Sequence, residues 1–310
     1  DHSVVVTPQD IIVDNMPVDY SYIINKELGN SSIEKAIKGY IKKIDDARIS
    51  LEKPTDLESA LQSILFWNSL LWQTGHSLVG LGRLDKILGE YKVPENAESL
   101  ICDFLKTLHN EYVFKSATLK GDTGQIIILG GLDTENNYFS NEYTKLFIKC
   151  LKKVHLPDPK ILLRCSNAMP TDLLELSMEC NATGIGSPLF ANDDIIIPHL
   201  IDFGYEKKDA YNYGVSACWE PLSIGNSLEQ NNLADIEYGK CVNAIIMDEQ
   251  FVQCVDMKAV VMLYVNKLKE NCQDIICRLN SIRWQEDLLL SFMMGLNKDI
   301  SEGGAKYNDY

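Results

Sequence analysis

The chain has 310 residues, 45 % of them hydrophobic, enough for one large domain or two ordinary ones with a sizeable core. A formal net charge of −15 argues against nucleic acid or an anionic membrane surface as the main partner. No apolar run approaches a membrane span, and the opening DHSVVVTPQD lacks the basic and apolar regions of a secretory signal. Nine scattered cysteines, without CxxC or zinc-type Cys/His spacing, read as free thiols in a reducing, cytoplasmic setting with no bound metal.

Residues 1–30 are mixed in character, with a short apolar run at Val4–Val6 and Pro8 as a breaker. The spacing of Ile33, Ala36, Ile37, Tyr40, Ile41 and Ile44 predicts a helix over 31–51, with Ser31 or Ser32 as N-cap. A second helix is expected over 56–71, with Leu57, Ala60, Leu61, Ile64 and Leu65 on one face. His76 then lies between two glycine-containing turns, ahead of Gly82-Arg83-Leu84-Asp85. A capping or core histidine is the plain alternative to a functional one. A third helix is expected over 96–112, so residues 1–115 read as a helical N-terminal part.

The pattern changes near residue 124, and 116–310 reads as an α/β part continuous with the first. Ile126–Leu129 is a buried strand ending in Gly130-Gly131, followed by a helix over 140–154. Strand, Gly-Gly and helix could cradle a phosphate, but no GxGxxG or GxxxxGK[ST] supports a nucleotide site. Ile161–Leu163 is the next strand, and 171–180 the next helix. Short buried strands alternating with helices indicate an α/β fold with a mostly parallel or barrel-like sheet. Helical patterns return over 232–264, 257–276 and 282–294.

The stretch YNYGVSACWEPLSIG, residues 211–225, stands apart. It holds Cys218 with Glu220 two residues later, and Gly214, Pro221 and Gly225 favour a turn over a helix. A thiol and a carboxylate on one tight loop can face one cavity, which suits chemistry at a carbon beside an acidic hydroxyl. Taken alone, such a cysteine is more often packing. Trp219 beside it could shape a cavity or simply pack, and Asn192-Asp193 suggests a structural turn or cap.

Several ordered blocks resemble the glycyl radical enzymes, the pyruvate formate-lyase-like superfamily. They are Gly80-Leu81-Gly82-Arg83-Leu84-Asp85, Gly130-Gly131-Leu132-Asp133, Asn141-Glu142-Tyr143-Thr144 and Pro157, Pro159 and Arg164. The G-x-P-x-x-x-N-D block through Asn192-Asp193, Phe203-Gly204-Tyr205, Asp209-Ala210 and the C-x-E loop follow. The ending Asn297 to Asn308 is similar as well, so the resemblance covers roughly residues 60–310.

The resemblance implies an α/β fold that forms part of a ten-stranded glycyl-radical-enzyme-like barrel with flanking helices. It implies a thiyl-radical dehydratase or lyase that acts on a small hydroxylated substrate by C–H hydrogen abstraction and elimination. Cys218 matches the radical cysteine and Glu220 the acid/base carboxylate. An S–H bond is close in strength to an activated C–H bond, so the transfer is nearly reversible. His76 and Ser166 are substrate-contact candidates by position. A radical S-adenosylmethionine activating enzyme is the implied partner, and a homodimer the implied assembly.

Two departures stand out. Ala217 precedes Cys218 where many members have Gly, and a single cysteine makes the acyl-transfer branch a poor match. The Arg-Val-x-Gly-Tyr string of the glycyl radical motif does not occur. The radical is therefore expected on a residue outside this chain, which reads as a fragment or truncated form that would be inactive alone. The alternative is a non-catalytic relative acting in assembly or regulation.

Overall fold

The structure, a computed structural model, describes residues 16–17, 33, 35, 53–73, 79–115, 125–216, 220–229, 234, 236–282, 288–295 and 306–309. The helix expected over 31–51 thus lies almost wholly outside the described residues. The chain divides into two compact units, one of residues 12–229 and 286–310, the other of 1–11 and 230–285.

The larger unit begins with β1 (Met16–Pro17), α1 (Leu57–Gln73), β2 (Val79–Gly80) and β3 (Gly82–Arg83). After α2 (Leu84–Leu88) and α3 (Ala97–Lys115) come β4 (Ile126–Gly130), α4 (Glu142–Val154), β5 (Lys160–Cys165) and α5 (Thr171–Asn181). Then follow β6 (Leu189–Asn192), α6 (Asp193–Asp202), α7 (Lys207–Tyr211), β7 (Tyr213–Ser216), β8 (Glu220–Ser223) and β9 (Ser227–Glu229). The apolar IIIPHLID stretch forms α6 because Asn192 caps it, its side chain accepting from the Asp194 N–H.

Strands β3, β4, β5 and β6 form a parallel sheet in that order. Among the described residues the sheet has these four strands. Strand alternation gives it two faces. Ile127, Leu129, Ile161 and Leu163 join the side chains of α1, α2, α3, α4 and α5 in one core. Residues up to 115 and the strands after them therefore share a core. Ile126, Ile128 and Leu162 point the other way, toward Ile197 and Leu200 of α6 and toward Tyr213 and Val215 of β7. Each such fully buried Ile or Leu contributes about 1.5–3 kcal/mol. The segment Leu288–Met293, here α8, returns to the first core, with Phe292 against Trp67 at a centroid distance of 5.5 Å. It is shorter than the helix expected over 282–294, of which 283–287 lie outside the described residues.

In the smaller unit, the helical pattern expected across 232–264 is interrupted. One helix, α9, spans Tyr238–Ile246, a short 3-10 turn spans Phe251–Gln253, and α10 spans Met257–Asn280. The break has a local cause. The Asp256 side chain accepts from the Ala259 N–H at 2.8 Å and starts a new helix there. Helix α10 buries Ile275, while Met257, Val261, Met262 and Ile276 are exposed.

Strand β4 ends in two left-handed glycines, with φ of +65° at Gly130 and +109° at Gly131. A Cβ at Gly131 would stand 2.6 Å from Arg164 Nε, and one at Gly130 would stand 2.5 Å from Tyr138 Oη. Both are therefore confined to glycine by backbone conformation and by the side chains that fill the space above them. Gly131→Ala is expected to destabilise the protein by about 2 kcal/mol or more, from the strained φ alone. Urea denaturation of the two proteins checks this.

Candidate active site

Charged residues interrupt apolar strands at one end of the sheet. Arg164 lies in β5 between Leu163 and Cys165 and is fully buried. Its Nε and Nη2 donate to Oδ1 and Oδ2 of Asp193 at 2.9 and 2.8 Å, a bidentate pair with the first residue of α6. Its Nη1 donates to the carbonyls of Tyr211 and Tyr213 at 3.0 and 3.1 Å. The Tyr213 ring lies against the guanidinium, 4.0 Å from the centroid, and its hydroxyl donates to Asp193 Oδ1 at 2.7 Å. Asp193 Oδ2 also accepts from the Leu132 N–H at 2.7 Å.

Burial by itself would lower the Arg164 pKa, but the charge and hydrogen bonds of Asp193 reverse this and leave it raised. Burial pushes the Tyr213 phenol above its ordinary value, so it remains a donor to Asp193. The pair is buried and each of its partners is satisfied, the condition under which such a pair persists in a low dielectric.

A second cluster adjoins it. Asp85 Oδ2 accepts from the Gly130 N–H and from Thr144 Oγ1, each at 2.7 Å, and Oδ1 from the Lys86 N–H at 2.8 Å. Asn141 caps α4 in a reciprocal box with Thr144 and donates through Nδ2 to the Asp85 carbonyl at 2.8 Å. Arg83 Nη2 donates to the Gly130 carbonyl at 2.7 Å. Burial, then the nearby Arg164, lowers the Arg83 pKa to about 10. The amides around Gly130-Gly131 thus point at two carboxylates of the protein itself. That arrangement rejects a phosphate, and the phosphate-cradle alternative is not borne out.

The network holds the base of a hairpin. β7 and β8 pair antiparallel, with Ser216 opposite Glu220, Val215 opposite Pro221 and Tyr213 opposite Ser223. Three residues, 217–219, connect the strands, and Cys218 is the middle one. Cys218 and His76 lie outside the described residues. Glu220 is half-buried at the start of β8. Ser166 is also half-buried, at the C-terminal end of β5, and its Oγ accepts from the Ala168 N–H at 3.1 Å. It sits two residues beyond the Arg164 that grips the hairpin.

Beyond the hairpin, β9 is clasped by β10 (Tyr307–Asp309), with which it pairs parallel. Tyr307 stacks on Tyr205 at 4.2 Å and donates to Asp209 Oδ2 at 2.8 Å. Lys306 Nζ reaches Asp209 Oδ2 at 2.6 Å and Glu206 Oε1 at 2.8 Å. A hydrogen bond to Asp209, then one to Glu206, raises the Lys306 pKa. The eight described cysteines are all unpaired, and no cluster of metal-binding type occurs among the described residues. Nor is any described helix long and apolar enough to cross a membrane.

The family model for pyruvate formate lyase-like proteins matches residues 46–250. The chain belongs to the pyruvate formate lyase-like family. A probable dehydratase, YbiW, of Escherichia coli K12 is 25 % identical over 84 % of this chain and 38 % of its own length. The (2S)-3-sulfopropanediol dehydratase of Klebsiella oxytoca is 24 % identical over 82 % of this chain and 36 % of its own length. The chain thus spans less than two fifths of the length of these curated relatives. The glycerol-bound B12-independent glycerol dehydratase of Clostridium butyricum superposes with a TM-score of 0.72 at 22 % identity, over 93 % of this chain and 41 % of that one. At that identity the superposition establishes the fold, an α/β architecture shared with glycyl radical enzymes.

In this family member several of the blocks that carry the resemblance meet in the two clusters and the clasp, through Arg83 and Asp85, Gly130, Asn141 and Thr144, Arg164 and Asp193, and Asp209 with Tyr307. Sequence reading pointed to Arg83, Asp85, Arg164 and Asp193 only as motif letters, and assigned Asn192-Asp193 a turn or cap. Asn192 is that cap, but Asp193 is the buried partner of Arg164. The available signal was a charge inside an apolar run, as in Ile161-Leu162-Leu163-Arg164.

Asp193→Ala is expected to destabilise the protein by about 3–5 kcal/mol, because Arg164 is left buried without its counter-ion. Adding Arg164→Met should recover part of the loss, as chemical denaturation of both variants will measure. The hydrogen bond from Lys306 holds the Glu206 pKa below its ordinary 4.5. Its contribution to the clasp is therefore complete above that ordinary value and lost as pH falls through the lowered one. Hydrogen exchange in residues 306–309 should accelerate selectively over that acidic window.

Proposed function

We propose that this chain carries the reactive hairpin of a glycyl radical dehydratase or lyase acting on a small hydroxylated substrate. The observation that carries the reading is the pairing of Ser216 with Glu220, which brackets Cys218 within a three-residue connection. The hairpin is anchored at the end of the sheet where Ser166 also lies. Dehydratases among the relatives support the reaction class.

A glycyl radical, on a residue outside this chain, supplies the unpaired electron that arms the thiol. Cys218 takes a hydrogen atom from a substrate C–H, breaking that bond as S–H forms and leaving the odd electron on carbon. Glu220 accepts the proton of the adjacent hydroxyl, the neighbouring leaving group departs with the electron pair of its bond to carbon, and Glu220 passes that proton to it, so that a departing hydroxyl leaves as water and the carboxylate is restored. Cys218 then returns the hydrogen atom to the product radical. Ser166 and His76 would hold substrate hydroxyls by hydrogen bonds. The remaining strands of a ten-stranded barrel would enclose the site, in a homodimer served by a radical S-adenosylmethionine activating enzyme.

In the complete, anaerobically activated protein, Cys218→Ala is expected to abolish turnover. Glu220→Gln is expected to lower kcat by about 10²–10⁴-fold, the usual contribution of a general base. Full turnover in Cys218→Ala would sink the reading. Chromatographic assay against a panel of small diols and related hydroxylated compounds provides the measurement.

A further inference from the structure

We infer that Arg164, Asp193 and Tyr213 form a positioning clamp for the hairpin that carries Cys218 and Glu220, beyond their part in core stability. The inference rests on the proposed role of that hairpin. Three contacts converge on Tyr213, the first residue of its entry strand, and a fourth holds Tyr211 just before it. Arg164 Nη1 holds the carbonyls of Tyr211 and Tyr213, two backbone points on either side of Asn212. The Tyr213 hydroxyl is held by Asp193 Oδ1, and its ring is held by the Arg164 guanidinium. Asp193 is in turn tied to the sheet by the Leu132 N–H.

Each end of the clamp is on a rigid element, β5 for Arg164 and the start of α6 for Asp193. The clamped residue begins β7, three residues before Ser216. A planar fork fixes both the direction and the rotation of what it grips, which a lysine point charge does not. The fork lies so close over Gly131 that a Cβ there would stand 2.6 Å from Arg164 Nε. Displacement of Tyr213 would be passed along β7, because its four residues are in register with β8 through to Glu220. A small misplacement of reacting groups has a large cost in rate.

Tyr213→Phe is the mild test. It removes one hydroxyl and leaves Asp193 paired with Arg164, so folding is expected to persist. Hydrogen exchange of residues 211–223 in the complete protein should accelerate roughly tenfold, as expected for one lost hydrogen bond to a charged group. Helices α4 and α5 should keep their protection. Arg164→Lys, which keeps charge but not the fork, should produce a larger and equally local acceleration if it folds. In the activated enzyme, Tyr213→Phe should lower kcat with KM little changed. Exchange that rises uniformly across the larger unit, or not at all, overturns the clamp. Local acceleration in 211–223 with no turnover in the unsubstituted protein leaves the clamp standing and refutes the catalytic reading instead.

Discussion

The buried pair of Arg164 and Asp193 is the interaction on which the larger unit depends. It is a charge-assisted bidentate contact with both side chains fully buried. Neither ion could remain there alone, since an unpaired charge in that medium costs several kcal/mol. The pair joins the end of β5 to the start of α6, and through Tyr213 it joins both to β7. The surrounding groups follow from it. Gly131 must lack a side chain for the guanidinium to fit, and the amide of Leu132 must turn inward to complete Asp193.

Strand alternation sets which side of the sheet meets which layer. Along β4 and β5, odd-numbered residues pack on the helices and even-numbered ones face the hairpin. Arg164 is even-numbered and therefore lies on the hairpin side. A one-residue slip of β5 would turn its charge into the helical core. Register and ion pairing therefore reinforce each other, and both direct the hairpin to the C-terminal ends of parallel strands. In open α/β sheets that end is where ligands bind.

Pro221 is compatible with this arrangement because β8 pairs with β7 alone among the described strands. The β10 clasp holds β9, the strand after the hairpin, and residues 205–209 through a lysine between two carboxylates and a stacked tyrosine pair. The residues that hold the hairpin and this next strand thus lie far apart in the chain, from Leu132 to Tyr307. The residues proposed to react lie within three positions of one another.

The sequence by itself determined the family and several of the local elements. The helices at 57–73 and 97–115, the strands at 126 and 160 and the helix at 142 were legible from apolar periodicity, because that signal is carried by neighbours in the chain. The C-x-E stretch was legible as non-helical, but Gly214 and Pro221, read as turn residues, lie within strands β7 and β8. Only the tertiary structure decided what the motif letters do. Asp85, Arg164 and Asp193 acquire their roles from partners as far as 61 residues away, and no local pattern encodes such a pairing. The same distance explains why Gly130-Gly131 resembled a phosphate cradle. Its glycines and inward amides are those of an anion site, and the anions are the protein's own carboxylates, brought there by the fold.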